Sequence, residues 1–150
     1  MSMNYGKLAL AGAFLAMGVA SAAAGGASNS GTQSIDLGQE VDAPNVRYAV
    51  WYDRTKIVRH KNIQKVEKIS TGIYCIKLKK YNGVKPDVSE LMPIVTVEWG
   101  SSNDDDLLAY WQASSTNCKN SSVWVQVRTY DFEGGTTNES DEVAFVMTIP

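Results

Sequence analysis

The stretch "VWVQVRTYDF", Val123 to Phe132, decides how the rest of the chain is read. Val123, Val125, Val127 and Thr129 fall on one side of an extended chain, and Trp124, Gln126, Arg128 and Tyr130 on the other. A period of two with β-branched residues on one side is the mark of a half-buried strand. The stretch closes at "EGGTTNES", a turn-rich segment.

Working outward, the same alternation recurs. "VRYAVWY" (46–52), "KIVRH" (56–60), "IQKVEKI" (63–69), "GIYCIKLKK" (72–80), "MPIVTVEW" (92–99), "LLAYWQA" (107–113) and "EVAFVMTI" (142–149) complete about eight short strands. "LLAYWQA" is short enough to be a helical turn or two, but its neighbours favour a strand. An all-β chain of this pattern predicts an antiparallel β-sandwich, Ig-like or jelly-roll-like, over residues 46–150. Tyr48, Val50 and Tyr52, then Tyr74, Ile76 and Leu78, then Val143, Phe145, Met147 and Ile149, are the expected core sets.

The amino terminus, "MSMNYGKLALAGAFLAMGVASAAAGG", reads as a signal peptide over residues 1–24. Lys7 precedes an uncharged apolar run, Leu8 to Ala20, and small residues follow. That run is short for a membrane span, which needs about 20 residues. A secreted or periplasmic location follows, with no transmembrane helix in the mature chain. Residues 25–45 are small and polar and predict a flexible lead-in.

Two cysteines in an exported chain are an even count in an oxidising compartment. In "GIYCIKLKK", Cys75 shares a side with Ile73, Lys77 and Lys79, away from the core set. Its expected partner is Cys118 in "SSTNCKNSS", which would pin that loop on the outside of the strand. Closing a loop of about 44 residues contributes roughly 4 kcal/mol in the chain-entropy model. A catalytic thiol needs a base, and His60 is the single histidine, with no family signature around either residue. Zinc needs four suitable ligands, more than this chain offers at usable spacing. No cofactor is expected.

The net charge of -2 gives no general attraction to nucleic acid. Its distribution is uneven. Arg47 to Lys85 holds eleven Lys/Arg against Asp53 and Glu67, a balance of +9; Pro86 to Pro150 holds Lys119 and Arg128 against eleven Asp/Glu, a balance of -9. Either basic strands pair with acidic ones across sheets, or a basic face including Arg59, Lys61, Lys77 and Lys79 meets an anionic surface. Trp51, Trp124 and Tyr130, with Arg128 nearby, form either an aromatic binding platform or part of the core. "NDDD" at 103–106 makes Asp104 and Asp106 calcium candidates beside the simpler reading as a solvated turn. Asn120 and Asn138 match the glycosylation sequon.

"STGIYCIKL" and "VWVQVRTYDFEGG…EVAFVMTI" resemble a loose class of small, mostly uncharacterised exported bacterial β-domains. These have a central G-x-Y strand, a V-x-V-x-T-x-D hairpin and a final F-x-V strand. The resemblance spans Arg47 to the end and implies a fold and an exported location, without an activity. "KPDVSELMP" and "NDDD" depart from it. The function expected is a secreted, non-enzymatic binding domain with a protein or glycan partner. The alternatives are a carbohydrate-binding module on the aromatic platform, or a small secreted inhibitor or hydrolase.

Overall fold

A computed structural model describes residues 31–112, 117–119 and 122–150. The expected signal peptide, the first residues of the lead-in, the sequon residue Asn120 and much of the 114–122 loop lie outside the described residues. The described chain is a β-sandwich of two facing sheets, and the helical elements among the described residues are short 3-10 segments at Val88–Glu90 and Glu133–Gly135.

All eight expected runs are strands. In chain order, β1 is Gln33–Ile35, β2 Leu37–Glu40, β3 Tyr48–Tyr52, β4 Ile57–Lys61, β5 Ile63–Ser70 and β6 Ile73–Leu78. Then follow β7 Ile94–Val97, β8 Leu107–Gln112, β9 Trp124–Asp131, β10 Asn138–Glu139 and β11 Phe145–Ile149. A six-stranded sheet runs β1-β5-β6-β9, with β8 along the far edge of β9. β10 continues the near edge where β6 ends. A five-stranded sheet runs β2-β4-β3-β11-β7.

Two expectations are corrected. The polar segment 25–45 holds two edge strands, β1 in one sheet and β2 in the other. Its backbone pairs, with Ile35 opposite Val66 and Leu37 opposite Ile57, and two of its apolar side chains, Ile35 and Leu37, pack with the main core. Main-chain pairing needs no apolar side chain, so composition alone missed it. The sandwich is also not wholly antiparallel, because β2 and β4 pair parallel.

Asn62 marks a decisive corner. It is the only residue between β4 and β5, yet β4 lies in the five-stranded sheet and β5 in the six-stranded one. Its φ of 54° is left-handed, a region that asparagine tolerates. Its side-chain amide donates to the Arg47 carbonyl at 2.7 Å and holds the bend.

The inner faces form one core. Tyr48, Val50, Tyr52, Tyr74, Ile76, Leu78, Val125, Val127, Val143, Phe145, Met147 and Ile149 are all buried in it, as the alternation predicts. Each such side chain contributes roughly 1.5–3 kcal/mol on burial. Tyr52, Tyr74 and Phe145 meet with ring centroids 4.9–5.4 Å apart. Asp141 ties the end of this cluster: its Oδ1 accepts from the Gly72 amide (3.0 Å) and the Tyr74 hydroxyl (3.1 Å), while Lys68 binds its other oxygen.

The uneven charge is partly internal. Lys68–Asp141 and Arg54–Glu142 join the basic half to the acidic half. Lys79 and Lys61 pair instead with Glu40 and Asp42, carboxylates of the amino-terminal segment.

Candidate binding site

The outer face of the six-stranded sheet is divided between a covered half and an open half. The covered half is built on the expected disulfide: Cys75 and Cys118 are bonded, with Cα atoms 5.4 Å apart. Cys75 lies on the face opposite the core, as its alternation predicts. It is nonetheless fully buried, because the 117–119 segment roofs it and makes a second small apolar cluster with Val123, Trp124 and Ile69. Lys119 (5.2 Å) and Lys77 (5.8 Å) lie against the Trp124 ring. Glu67 sits beneath them, bonded by Lys65 (2.7 Å) and Lys119 (2.8 Å). Burial pushes the Glu67 carboxyl up, but these two cations outweigh it and hold the group below its ordinary range. The roof is thus held by one covalent bond and one ion pair.

The open half lies toward β8. Tyr110 and Leu108 of β8 stand on the same side as Arg128 and Tyr130 of β9, with Tyr110 opposite Arg128 and Leu108 opposite Tyr130. The Tyr110 and Tyr130 rings are stacked, 4° from parallel with centroids 5.7 Å apart. Arg128 lies over the Tyr130 ring at 5.3 Å and forms an ion pair with Glu139. That pair raises the guanidinium's proton affinity further. Its Nε is buried without an acceptor among the described residues. Burial first, and then the Tyr110 hydroxyl, pushes the Tyr130 phenol up to about 12, so the Tyr130 hydroxyl is neutral at physiological pH. Beside them, the buried Gln126 amide donates to the Gln112 side-chain oxygen at 2.8 Å.

The arrangement combines flat aromatic surface with planar polar groups. Such a surface can stack against an apolar face and hydrogen-bond at its rim. Arg128 and Tyr130 are the two expected binding residues that come together here. Tyr110 is the residue that the sequence analysis missed. Its alternation within "LLAYWQA" placed it on a face, but only the pairing of β8 with β9 shows which neighbours it meets.

The other expected site residues are dispersed. Trp124 is 5% exposed beneath the disulfide-tethered roof and offers no platform. Trp51 lies on the outer face of the opposite sheet, with Arg59 5.7 Å from its ring centroid. The Trp51–Trp124–Tyr130 platform is therefore not formed, because β3 and β9 belong to different sheets. The cations Arg59, Lys61, Lys77 and Lys79 likewise make no single patch. Arg59 and Lys61 stand on the five-stranded sheet, Lys77 is engaged with Trp124, and Lys79 with Glu40.

His60 is 5% exposed in the five-stranded sheet, and Cys75 is disulfide-bonded, so the two form no nucleophile–base pair. Of the calcium candidates, Asp104 does meet other carboxylates: those of Asp131 and Glu133 come within 4.8 Å of it, but Asp106 is not in the group. These are oxygen ligands of the kind calcium takes. Asp131 already accepts the Glu133 amide at 2.8 Å, as in an ordinary turn. Among the described residues no helix is long and apolar enough to cross a membrane. No family model, curated protein or solved structure matches the chain.

Proposed function

We propose that this chain is an exported, non-enzymatic binding domain whose partner docks on the open half of the six-stranded sheet. The observation that carries the reading is the Tyr110–Tyr130 stack, held at the surface beside Arg128 and Glu139. Interface hot spots are enriched in tyrosine and arginine because both give large contact area with a polar end. The adjoining disulfide fits an oxidising compartment and keeps the face rigid, so binding orders few side chains.

Within this reading the chemistry favours a saccharide. Aromatic rings stack on the apolar face of a sugar ring, while the Gln112 amide and the Arg128–Glu139 pair match its hydroxyls. An anionic surface is less favoured, since Arg128 is neutralised by Glu139 and the other cations are dispersed.

A glycan array probed with the parent and with Tyr110→Ala/Tyr130→Ala tests this. The parent binds a defined set of glycans, and the double variant loses roughly tenfold or more of that affinity with little change in melting temperature. A parent that binds no glycan removes the saccharide. Equal binding by the double variant removes the face.

A further inference from the structure

The outer face of the five-stranded sheet carries a second concavity that the tyrosine site does not use. Register places Arg59, Trp51, Val146 and Thr96 in one cross-strand row, and Lys61, Ala49, Thr148 and Ile94 in the next. Ala49 is the small residue of this array. A methyl group where its neighbours carry long side chains leaves a depression beside the Trp51 ring. It measures about 190 Å³ and is lined by Val41, Ala49, Val50, Trp51, Val146 and the Arg59–His60 pair.

Three features give this depression a chemistry. Its floor and walls are aliphatic and aromatic. One cation, Arg59, stands over the indole at its rim and makes no ion pair among the described residues. One of its lining residues, Trp51, carries a buried polar atom, Nε1, without a partner among the described residues. Buried polar atoms are nearly always satisfied, and exceptions call for an explanation. An empty apolar cavity of about 150 Å³ holds a benzene ring, so the space suits one ring. A carboxylate on that ring would meet the guanidinium, which binds carboxylates in a planar, two-pronged fashion.

We propose that this depression binds a small aromatic carboxylate, with its ring beside Trp51 above Ala49 and its carboxylate on Arg59. The site is on the sheet opposite the tyrosine face and stands or falls independently of it.

Phenylacetate is the probe, and the side-chain N–H resonance of Trp51, assigned through Trp51→Phe, is the readout. Benzyl alcohol serves as the uncharged comparison. Phenylacetate is expected to shift that resonance saturably, with a midpoint on the order of 1 mM for so small a ligand on an open site. Arg59→Gln should weaken it about tenfold or more, since a charged hydrogen bond is lost, and benzyl alcohol should bind the parent correspondingly less well. Ala49→Leu fills the depression and should abolish the shift. Arg59 is exposed, so its variant keeps the test decisive even if Ala49→Leu fails to fold. An unmoved Trp51 resonance, an unchanged midpoint in Arg59→Gln, or an unchanged midpoint in a folded Ala49→Leu overturns the proposal.

Discussion

Replacing both cysteines, Cys75→Ala/Cys118→Ala, is the perturbation whose size follows most directly from the fold. The bridge spans a sequence separation of 43 residues. Confining a loop of that length in the unfolded chain corresponds to about 4 kcal/mol in the chain-entropy model. Domains of this size are stable by about 5–15 kcal/mol, so the loss is a large fraction of the whole. With a urea dependence of about 1.5 kcal/mol per molar, the midpoint should fall by roughly 2–3 M. A local consequence accompanies the global one. Without the bridge, the contacts of the 117–119 segment among the described residues come down to Lys119 on Glu67 and contact with Trp124. Trp124, 5% exposed in the intact protein, should then meet water, and tryptophan emission should shift to the red before global unfolding. Lys119→Met separates the two effects. It removes one of the two cations on the buried Glu67 but keeps the bridge, and with Lys65 still in place it should lower stability by about 1–2 kcal/mol, well below the loss of the bridge. Equilibrium urea unfolding followed by fluorescence and by circular dichroism makes the measurement. A double-alanine midpoint within about 0.5 M of the parent would refute the view that the bridge closes a long loop that is otherwise free in the unfolded chain.

Two further predictions concern His60 and Gly72. Burial lowers the His60 pKa, with the Glu40 charge opposing and Lys79 assisting. Between that lowered value and the ordinary one near 6.5, the unfolded chain binds a proton that the folded chain resists, so stability should fall as pH drops through this window. His60→Leu should flatten the slope of melting temperature against pH there, and an unchanged slope would assign the effect to another group. Gly72, in the β5–β6 turn, has φ of +65°, and a Cβ there would stand 2.5 Å from the Thr129 carbonyl oxygen. Gly72→Ala should therefore lower stability by about 2 kcal/mol or more. Gly83→Ala, at φ +80° with open space around it, should lose only about 1 kcal/mol of backbone strain. Equal losses in thermal unfolding would show that the close approach to Thr129 is not what the glycine serves.

Much of this protein is local and was legible in the order of its residues. A period of two needs only a few neighbours to show itself, so eight strands and their inward sets could be read, from Tyr48, Val50 and Tyr52 to Phe145, Met147 and Ile149. The side of Cys75 and its partner followed from alternation and from counting cysteines. What alternation cannot carry is which sheet a strand joins or what covers its outer face. Asn62 turns the chain from one sheet to the other within a single residue, where the sequence shows only two adjacent runs. Trp51 and Tyr130 are thereby placed on opposite outer surfaces, and Trp124 passes under a roof that arrives from the loop before its own strand. The pairing of β8 with β9 stacks Tyr110 on Tyr130, and β1 and β2 add to the sheets through backbone bonds that composition does not register. Those outcomes depend on contacts between residues distant in the chain, which local periodicity cannot specify. Strand and core came from sequence, whereas what each outer face presents was decided by how the two sheets close on each other.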